Sequence, residues 1–244
     1  MLELFKKHGA AFLSGAQLFS PDMLKKTALL YDFFRIADQI VDDPTNRHAA
    51  IDLDTCQAQR ESDYHNHATT LTKMMHEVGI PLVRGQDFFA SMRMDIDIHR
   101  YDTMQQLDTY MYGSAQIVGM MMCRVMWSAP EWYPYAKALW DVFQLENFVR
   151  DIESDYKQLW RIYIPAELFE GSSHDELIHS IETWVSTPWV RKTMQTLCSY
   201  IDDRRTYALD GLIYLPEPCR TPIRIAADSH KSYIDAVASR EYAL

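Results

Sequence analysis

The sequence predicts an all-α protein folded as one domain, and three observations carry that prediction. Glycine is scarce, with eight in 244 residues, while methionine is plentiful at thirteen; both favour helices over a turn-rich β architecture. Apolar residues recur mostly three and four apart, the period of one helix face. Helix start and stop signals punctuate the whole chain, and no repeat, low-complexity tract or long linker divides it.

Helices are expected near residues 3–18, 22–42, 49–78, 83–98, 104–127, 131–156, 175–184, 188–209 and 222–240. Ser20-Pro21, Thr187-Pro188 and Thr221-Pro222 each set a capping hydroxyl before a proline. Proline suits the first helical position because its missing N–H would have no intrahelical partner there. Asp43-Pro44 ends one helix and Gly79-Ile80-Pro81 another, while 211-GLIYLPEP-218 reads as a loop between helices rather than a strand.

Hydrophobic residues make up 48% and charged residues 24% of the chain, enough apolar material for a sizeable core. The 24 basic and 34 acidic residues leave a net charge of −10, which excludes nucleic acid as a non-specific partner. A phosphorylated small substrate stays open, because a divalent cation reverses the local sign. Cys56, Cys123, Cys198 and Cys219 form no CxxC pair and read as reduced thiols. The opening 1-MLELFKKHGA-10 lacks the apolar h-region of a signal peptide. The run 117-IVGMMMCRVMW-127 is interrupted by Arg124 and too short to span a bilayer. The expected location is the cytoplasm.

Two charged stripes stand out on otherwise apolar segments. In 31-YDFFRIADQIVDDP-44, Tyr31, Arg35, Asp38 and Asp42 step by four, three and four, so they share one helix face. In 144-QLENFVRDIESDYKQLWRIYIP-165, Gln144, Asn147, Asp151 and Asp155 step by three, four and four. Each stripe ends in two carboxylates one turn apart, about 6 Å of rise. A single DxxxD is ordinarily a solvated face. Two pairs facing each other would instead crowd four carboxylates, which need compensation. Hard oxygen ligands suit Mg²⁺, which takes one or two carboxylates and completes its shell with water and phosphate oxygens. Arg35, Arg150 and Arg161, with Tyr31 and Tyr163, suit the outer oxygens of a diphosphate. Spacing alone leaves both readings open.

Other candidates read more plainly. Tyr112 is equally a buried phenol bonded to a carbonyl or a catalytic group, and Asp95 reads as a surface ion pair with Arg93, with a role near the site as the lesser alternative. The Met-rich 120-MMMCRVM-126, Phe33 and Phe34 read as packing or cavity lining. His65-x-His67 lacks a third ligand for zinc, and Glu176-x-x-His179 lacks the second ExxH of a di-iron site. No GxGxxG, P-loop or GxSxG is present.

Tyr31-x-x-x-Arg35-x-x-Asp38-x-x-x-Asp42 resembles the first aspartate-rich motif of the squalene/phytoene synthases, the head-to-head trans-prenyltransferases. Gln144-x-x-Asn147-x-x-Arg150-Asp151-x-x-x-Asp155, followed by Arg161-Ile-Tyr163-Ile-Pro165, resembles their second. The blocks 91-SMRMDIDIHRYDT-103, 110-YMYGSAQIVGMMM-122 and 207-YALDGLIYLPEPCRTPIRIAA-227 follow the family order. The resemblance implies an isoprenoid-synthase-like helical bundle around a central apolar cavity, with both stripes at its mouth. Asp38, Asp42, Asp151 and Asp155 would bind Mg²⁺, with Mn²⁺ as a substitute, bridging to the diphosphates of two prenyl donors (farnesyl or geranylgeranyl). Arg35, Arg150 and Arg161 would hold phosphate oxygens, and Asn147 would help order the metal shell. Tyr31, Tyr112 and Tyr163 would hydrogen-bond diphosphate or stabilise developing charge. The implied reaction joins two C15 or C20 donors through a cyclopropyl intermediate to a squalene-, dehydrosqualene- or phytoene-like hydrocarbon. Peripheral membrane contact would serve release of such a product. NADPH, which would reduce it, leaves no Rossmann fingerprint in this family.

Three departures accompany the resemblance. Gln39 stands where many members have another aspartate, and Trp160 precedes Arg161 where a small residue is common. The chain stops at 238-ASREYAL-244, where relatives continue through further basic residues and a helical stretch; that bears on closure of the pocket. Two other outcomes stay open: ionisation of a prenyl diphosphate with a different ending, such as water capture, and a non-catalytic relative acting as a binding or assembly module.

Overall fold

The computed structural model describes residues 10–169 and 174–243. Its first half contains α1 (Ala10–Ala16), α2 (Pro21–Val41), α3 (Ala49–His65), α4 (Thr70–Val78), α5 (Leu82–Asp97) and α6 (Met104–Met111). The second half holds α7 (Ile117–Val125), α8 (Tyr133–Leu159), α9 (His174–Thr183), α10 (Pro188–Asp210) and α11 (Glu217–Ser239). No strand occurs among the described residues; Arg100 and Ile162 make an isolated parallel bridge. The all-α expectation therefore holds. Of the expected helix 3–18, residues 3–9 lie outside the described residues.

Local chemistry explains most boundaries. The Ser20 and Thr187 hydroxyls each accept a backbone N–H at 3.3 Å, from Met23 and Val190. These bonds satisfy donors that the first turns of α2 and α10 leave without partners. Gly79 closes α4 in the left-handed region, at φ 72°, which glycine adopts without a Cβ penalty. Two expectations fail. The helix expected over 49–78 breaks at His67, whose φ is 48°, and restarts at Thr69, which forms a reciprocal capping box with Thr72. The helix expected from Thr221-Pro222 begins a full turn earlier, at Glu217 with Pro218 in its first turn, so Pro222 lies inside α11. The Pro216–Pro218 pair supplies the stop and the start.

A 27-residue α8 runs through the bundle, with α7, α10 and α11 packed around it. Its buried face carries Leu139, Val142, Phe143, Leu145 and Val149, and also two fully buried acids, Asp141 and Glu146. Arg204 of α10 pairs with Asp141, and Arg205 pairs with Glu146 while donating to the Ala227 carbonyl of α11 at 2.9 Å. Buried pairs of this kind add little net stability, but losing one partner strands a charge, so they pin the register of α8, α10 and α11. Between α6 and α7 the chain makes a π turn, Tyr112–Gln116. Gly113 lets that turn lie against α5: a Cβ there would sit 2.3 Å from Ser91 Oγ and 2.4 Å from the Asp87 carbonyl oxygen.

After α8 the chain doubles back. Ile162 N–H donates to the His99 carbonyl at 2.8 Å, and Ala166 N–H to that of Tyr101 at 2.9 Å, fixing Arg161 and Tyr163 against the end of α5. The reversal is made by Trp160, a residue with φ 59° and 67% exposure. A left-handed conformation is costly for a residue with a Cβ, which is a physical reason to expect a small residue at this place. Trp160→Gly is expected to raise stability by about 0.5–1 kcal/mol, less the loss of its edge contact with Tyr156. Denaturant melts of the two proteins read the difference. Gln39 is exposed and off the stripe, so no inward-facing carboxylate is missing there.

Candidate active site

Part of each stripe, on α2 and α8, opens onto one cavity of about 270 Å³, whose lining does not include Asp42, Asp151, Asp155, Arg161 or Tyr163. Tyr31, Arg35 and Asp38 line it from α2, and Gln144, Asn147 and Arg150 from α8. Helical spacing of three and four is what turns these residues to the same side. Phe12, Tyr31 and Phe34 form a shared wall with a second, apolar lobe of about 90 Å³ enclosed by Leu30, Met122, Trp140 and Phe143 among others. On one side of this wall the cavity is polar, and on the other it is hydrocarbon and aromatic.

Each arginine named from the sequence holds a carboxylate. Arg35 pairs with Asp38, and Arg150 forks its neighbour Asp151, with Nε to Oδ1 at 2.7 Å. Arg161, 4% exposed, donates to Asp42 Oδ1 and to the Val41 carbonyl, each at 2.6 Å. That last pair joins the end of the second stripe directly to the end of the first. Asp155 makes no ion pair among the described residues. Burial, reinforced by the nearby charges of Asp151, Asp42 and Asp95, pushes its carboxyl up to about 8. Asp38 is pushed up to about 7, by its enclosed position first and by Asp42 second, with Arg35 opposing. The amide oxygen of Asn147 is buried and without a hydrogen-bond partner, an acceptor left open beside the acids.

Two site features differ from the sequence expectations. Asp95 is no surface ion pair: it is 2% exposed and accepts from Tyr163 at 2.7 Å and Tyr110 at 2.8 Å, while Arg93 pairs with Asp54. Burial holds its carboxyl up at about 6 against the pull of Arg161. The structure does not bring Tyr112 to the cavity. Its ring is 38% exposed and its hydroxyl lies 3.3 Å from Arg84 Nη1 and 3.4 Å from Asp87 Oδ2. The π turn that starts at Tyr112 offsets the helical register there, and Tyr110 faces inward instead. Tyr112→Phe is accordingly expected to leave turnover within about twofold of the parent, as a steady-state assay of diphosphate release would show.

Tyr110, Ser114, His230 and Tyr233 also line the cavity. Phe88, Met92 and Asp95 step by four and three, and Ile223, Ala226 and His230 by three and four; in each run a polar group continues an apolar face. That placement is the signal that could have marked Asp95 and His230. Of the remaining candidates, His67 stacks on His76 at 3.8 Å, away from the acids. No helix among the described residues is long and apolar enough to cross a membrane.

Residues 5–244 match the sequence model of the Squalene/phytoene synthase family. The chain belongs to that family. Among its relatives, phytoene synthase 2, chloroplastic, of Solanum lycopersicum is 26% identical over 98% of this chain and 81% of its own length. Phytoene synthase 2, chloroplastic, of Zea mays is 25% identical over 98% of this chain, which spans 62% of the maize protein. The crystal structure of a dehydrosqualene synthase in complex with a ligand superposes with a TM-score of 0.87 at 19% identity, covering 99% of this chain and 86% of the other. At that identity the likeness speaks for the fold, and it agrees with the squalene/phytoene synthase bundle expected from the motifs.

The donor set fits a hard divalent cation held together with a ligand. Among the described residues no three His, Cys, Asp or Glu side chains gather closely enough to hold a metal by themselves. Mg²⁺ is typically bound by one or two carboxylates, with water and substrate phosphate completing the octahedron. Two acids on each stripe and the unpartnered Asn147 oxygen suit that mode of binding.

Proposed function

We propose that this chain is a Mg²⁺-dependent prenyltransferase that joins two C15 or C20 prenyl diphosphates head to head, releasing diphosphate. The observation that carries this reading is a pair of adjoining cavities that share Phe12, Tyr31 and Phe34, one polar where the stripes of α2 and α8 meet and the other apolar. A prenyl diphosphate has that same polarity. Asp38, Asp42, Asp151 and Asp155 would hold the metal, which Mn²⁺ could replace, with Asn147 ordering its water. Bound there, the metal supplies positive charge to the leaving diphosphate. Arg35 and Arg150, which line the polar cavity, and Arg161, released from their carboxylates, would take phosphate oxygens, and the Tyr31 hydroxyl would donate to one. Tyr163 acts at one remove, by holding Asp95 beside Arg161.

Departure of diphosphate leaves an allylic cation, which water would capture. Phe34, Trp140 and Phe143 line the apolar lobe, excluding water and offering aromatic faces to the cation. The coupled product is phytoene-, dehydrosqualene- or squalene-like according to donor length and reduction. The test is an incubation with Mg²⁺ and C15 or C20 diphosphate, with and without NADPH, followed by analysis of released diphosphate and extracted lipid. A coupled C30 or C40 hydrocarbon is expected. Prenyl alcohol alone would make the chain an ionising enzyme that ends in water capture, and no diphosphate release under any condition would make it a binding module.

A further inference from the structure

His230 of α11 is 1% exposed and lines the polar cavity, and neither of its ring nitrogens has a hydrogen-bond partner. Burying an imidazole with both nitrogens unsatisfied costs free energy that a structural role would not require. Its ring lies between Phe12 and Phe143, each with a centroid 4.5 Å away. Phe143 belongs to the apolar lobe, so His230 stands where the polar and apolar parts meet. With a diphosphate at Arg35 and Arg150 and its tail in the apolar lobe, the carbons next to the diphosphate would pass this ring.

Behind His230 stands Glu146. Its Oε2 is 3.8 Å from His230 Nδ1 and has no hydrogen-bond partner, while Oε1 is held by Arg205. Arg205 in turn is anchored to the Ala227 carbonyl, one turn before His230 on the same helix. The carboxylate oxygen faces Nδ1 at a distance too long for a hydrogen bond; a small closure would let it accept an Nδ1–H, which would leave the Nε2 lone pair free. Catalytic contacts of this kind often tighten into hydrogen bonds only when substrate is bound.

We propose that His230, positioned by Glu146, is the base that takes the proton lost when the two prenyl units become one neutral skeleton. The assignment rests on the condensation reading above. Attack of the second donor's double bond on the allylic cation forms one C–C bond and moves the positive charge onto the coupled skeleton. The charge is lost when the electron pair of a neighbouring C–H bond closes the cyclopropane ring. The proton goes to His230 Nε2, and Glu146 faces the imidazolium so formed. The released diphosphate anion then carries the proton away, restoring imidazole and balancing the reaction as cyclopropyl diphosphate plus hydrogen diphosphate.

The groups facing the ring keep it in the required state. Burial, with Arg150 and Arg205, holds the imidazole down at about 3, so it stays neutral at working pH with its lone pair available. A carbocation is a far stronger acid than any imidazolium, so low basicity does not prevent the transfer. Tyr233, edge-on at 5.8 Å, and Phe12 close the remaining sides.

The test compares the parent with His230→Gln, His230→Phe and Glu146→Gln, using Mg²⁺ and C15 or C20 diphosphate. Total diphosphate release and the split of lipid between coupled product and prenyl alcohol are read separately. In both His230 variants release is expected to stay within about tenfold while coupled product falls about 10²-fold or more, with prenyl alcohol in its place. Glu146→Gln is expected to shift the split in the same direction by about tenfold. Imidazole added to His230→Ala should restore coupling, and pyrrole, of similar shape but not basic, should not. An unchanged split, or equal loss of release and coupling with no imidazole rescue, assigns His230 a packing role and overturns the proposal alone. No release by the parent overturns the condensation reading, and the base assignment falls with it.

Discussion

Asp38→Asn and Asp151→Asn are each expected to lower diphosphate release by about 10³-fold, close to 4 kcal/mol of transition-state stabilisation, with helical circular dichroism unchanged. Asparagine keeps the shape and one acceptor oxygen but removes the charge that would hold a hard cation. Neither residue belongs to the apolar core, so the fold has little to lose: Asp38 is bonded to Arg35, and Asp151 to Arg150. The freed arginines remain able to bind a diphosphate oxygen, so KM should move less than kcat. Turnover near the parent's in both variants would remove these two acids from the metal site.

Asp155→Asn is expected to act on stability in the opposite direction to activity. This carboxyl is half-buried, lacks an ion pair among the described residues and sits in the field of Asp151, Asp42 and Asp95. Its pKa is about 8 in the folded chain, against about 3.9 for an unperturbed aspartate. The folded state therefore binds this proton more tightly than the unfolded state. Stability falls as pH rises from about 4 to 8, because ionisation is opposed only in the folded state. The asparagine variant lacks that penalty. It should match the parent near pH 4 and exceed it above pH 8, by about 2 kcal/mol once solvent screening is allowed for. That corresponds to a rise in Tm of about 5 °C for a chain of this size. Calorimetry across pH in the presence of EDTA reads it, and an equal or lower Tm at pH 8 would contradict the electrostatic account. A site whose charges cost the fold stability is what a stability–activity trade-off predicts.

Much of the bundle was legible residue by residue. Ser20-Pro21, Thr187-Pro188 and Gly79 are local devices: a hydroxyl, a ring or a missing Cβ acts on atoms within a few residues, so sequence suffices to place them. The break at His67 was less visible, because its left-handed backbone comes without a glycine to announce it. The early start of α11 was masked by Pro222, which the helix accommodates in its second turn.

The site divides in the same way. Which acids and arginines share a face is a matter of 3.6-residue periodicity, and that determined Tyr31, Arg35, Asp38 and Asp42 on one helix and Gln144, Asn147 and Asp151 on another. Contacts between helices obey no such period. Arg161 meets Asp42 across 119 residues, Asp95 is buried between Tyr110 and Tyr163, and Tyr112 is carried outward by a π turn. Only the tertiary structure decided these, because long-range packing, not local spacing, sets which side chains a helix face meets. His230 is the sharpest case: on paper it is a lone histidine on the apolar face of an amphipathic helix, and it becomes a candidate base only when α8 and α10 bring Glu146 and Arg205 behind it.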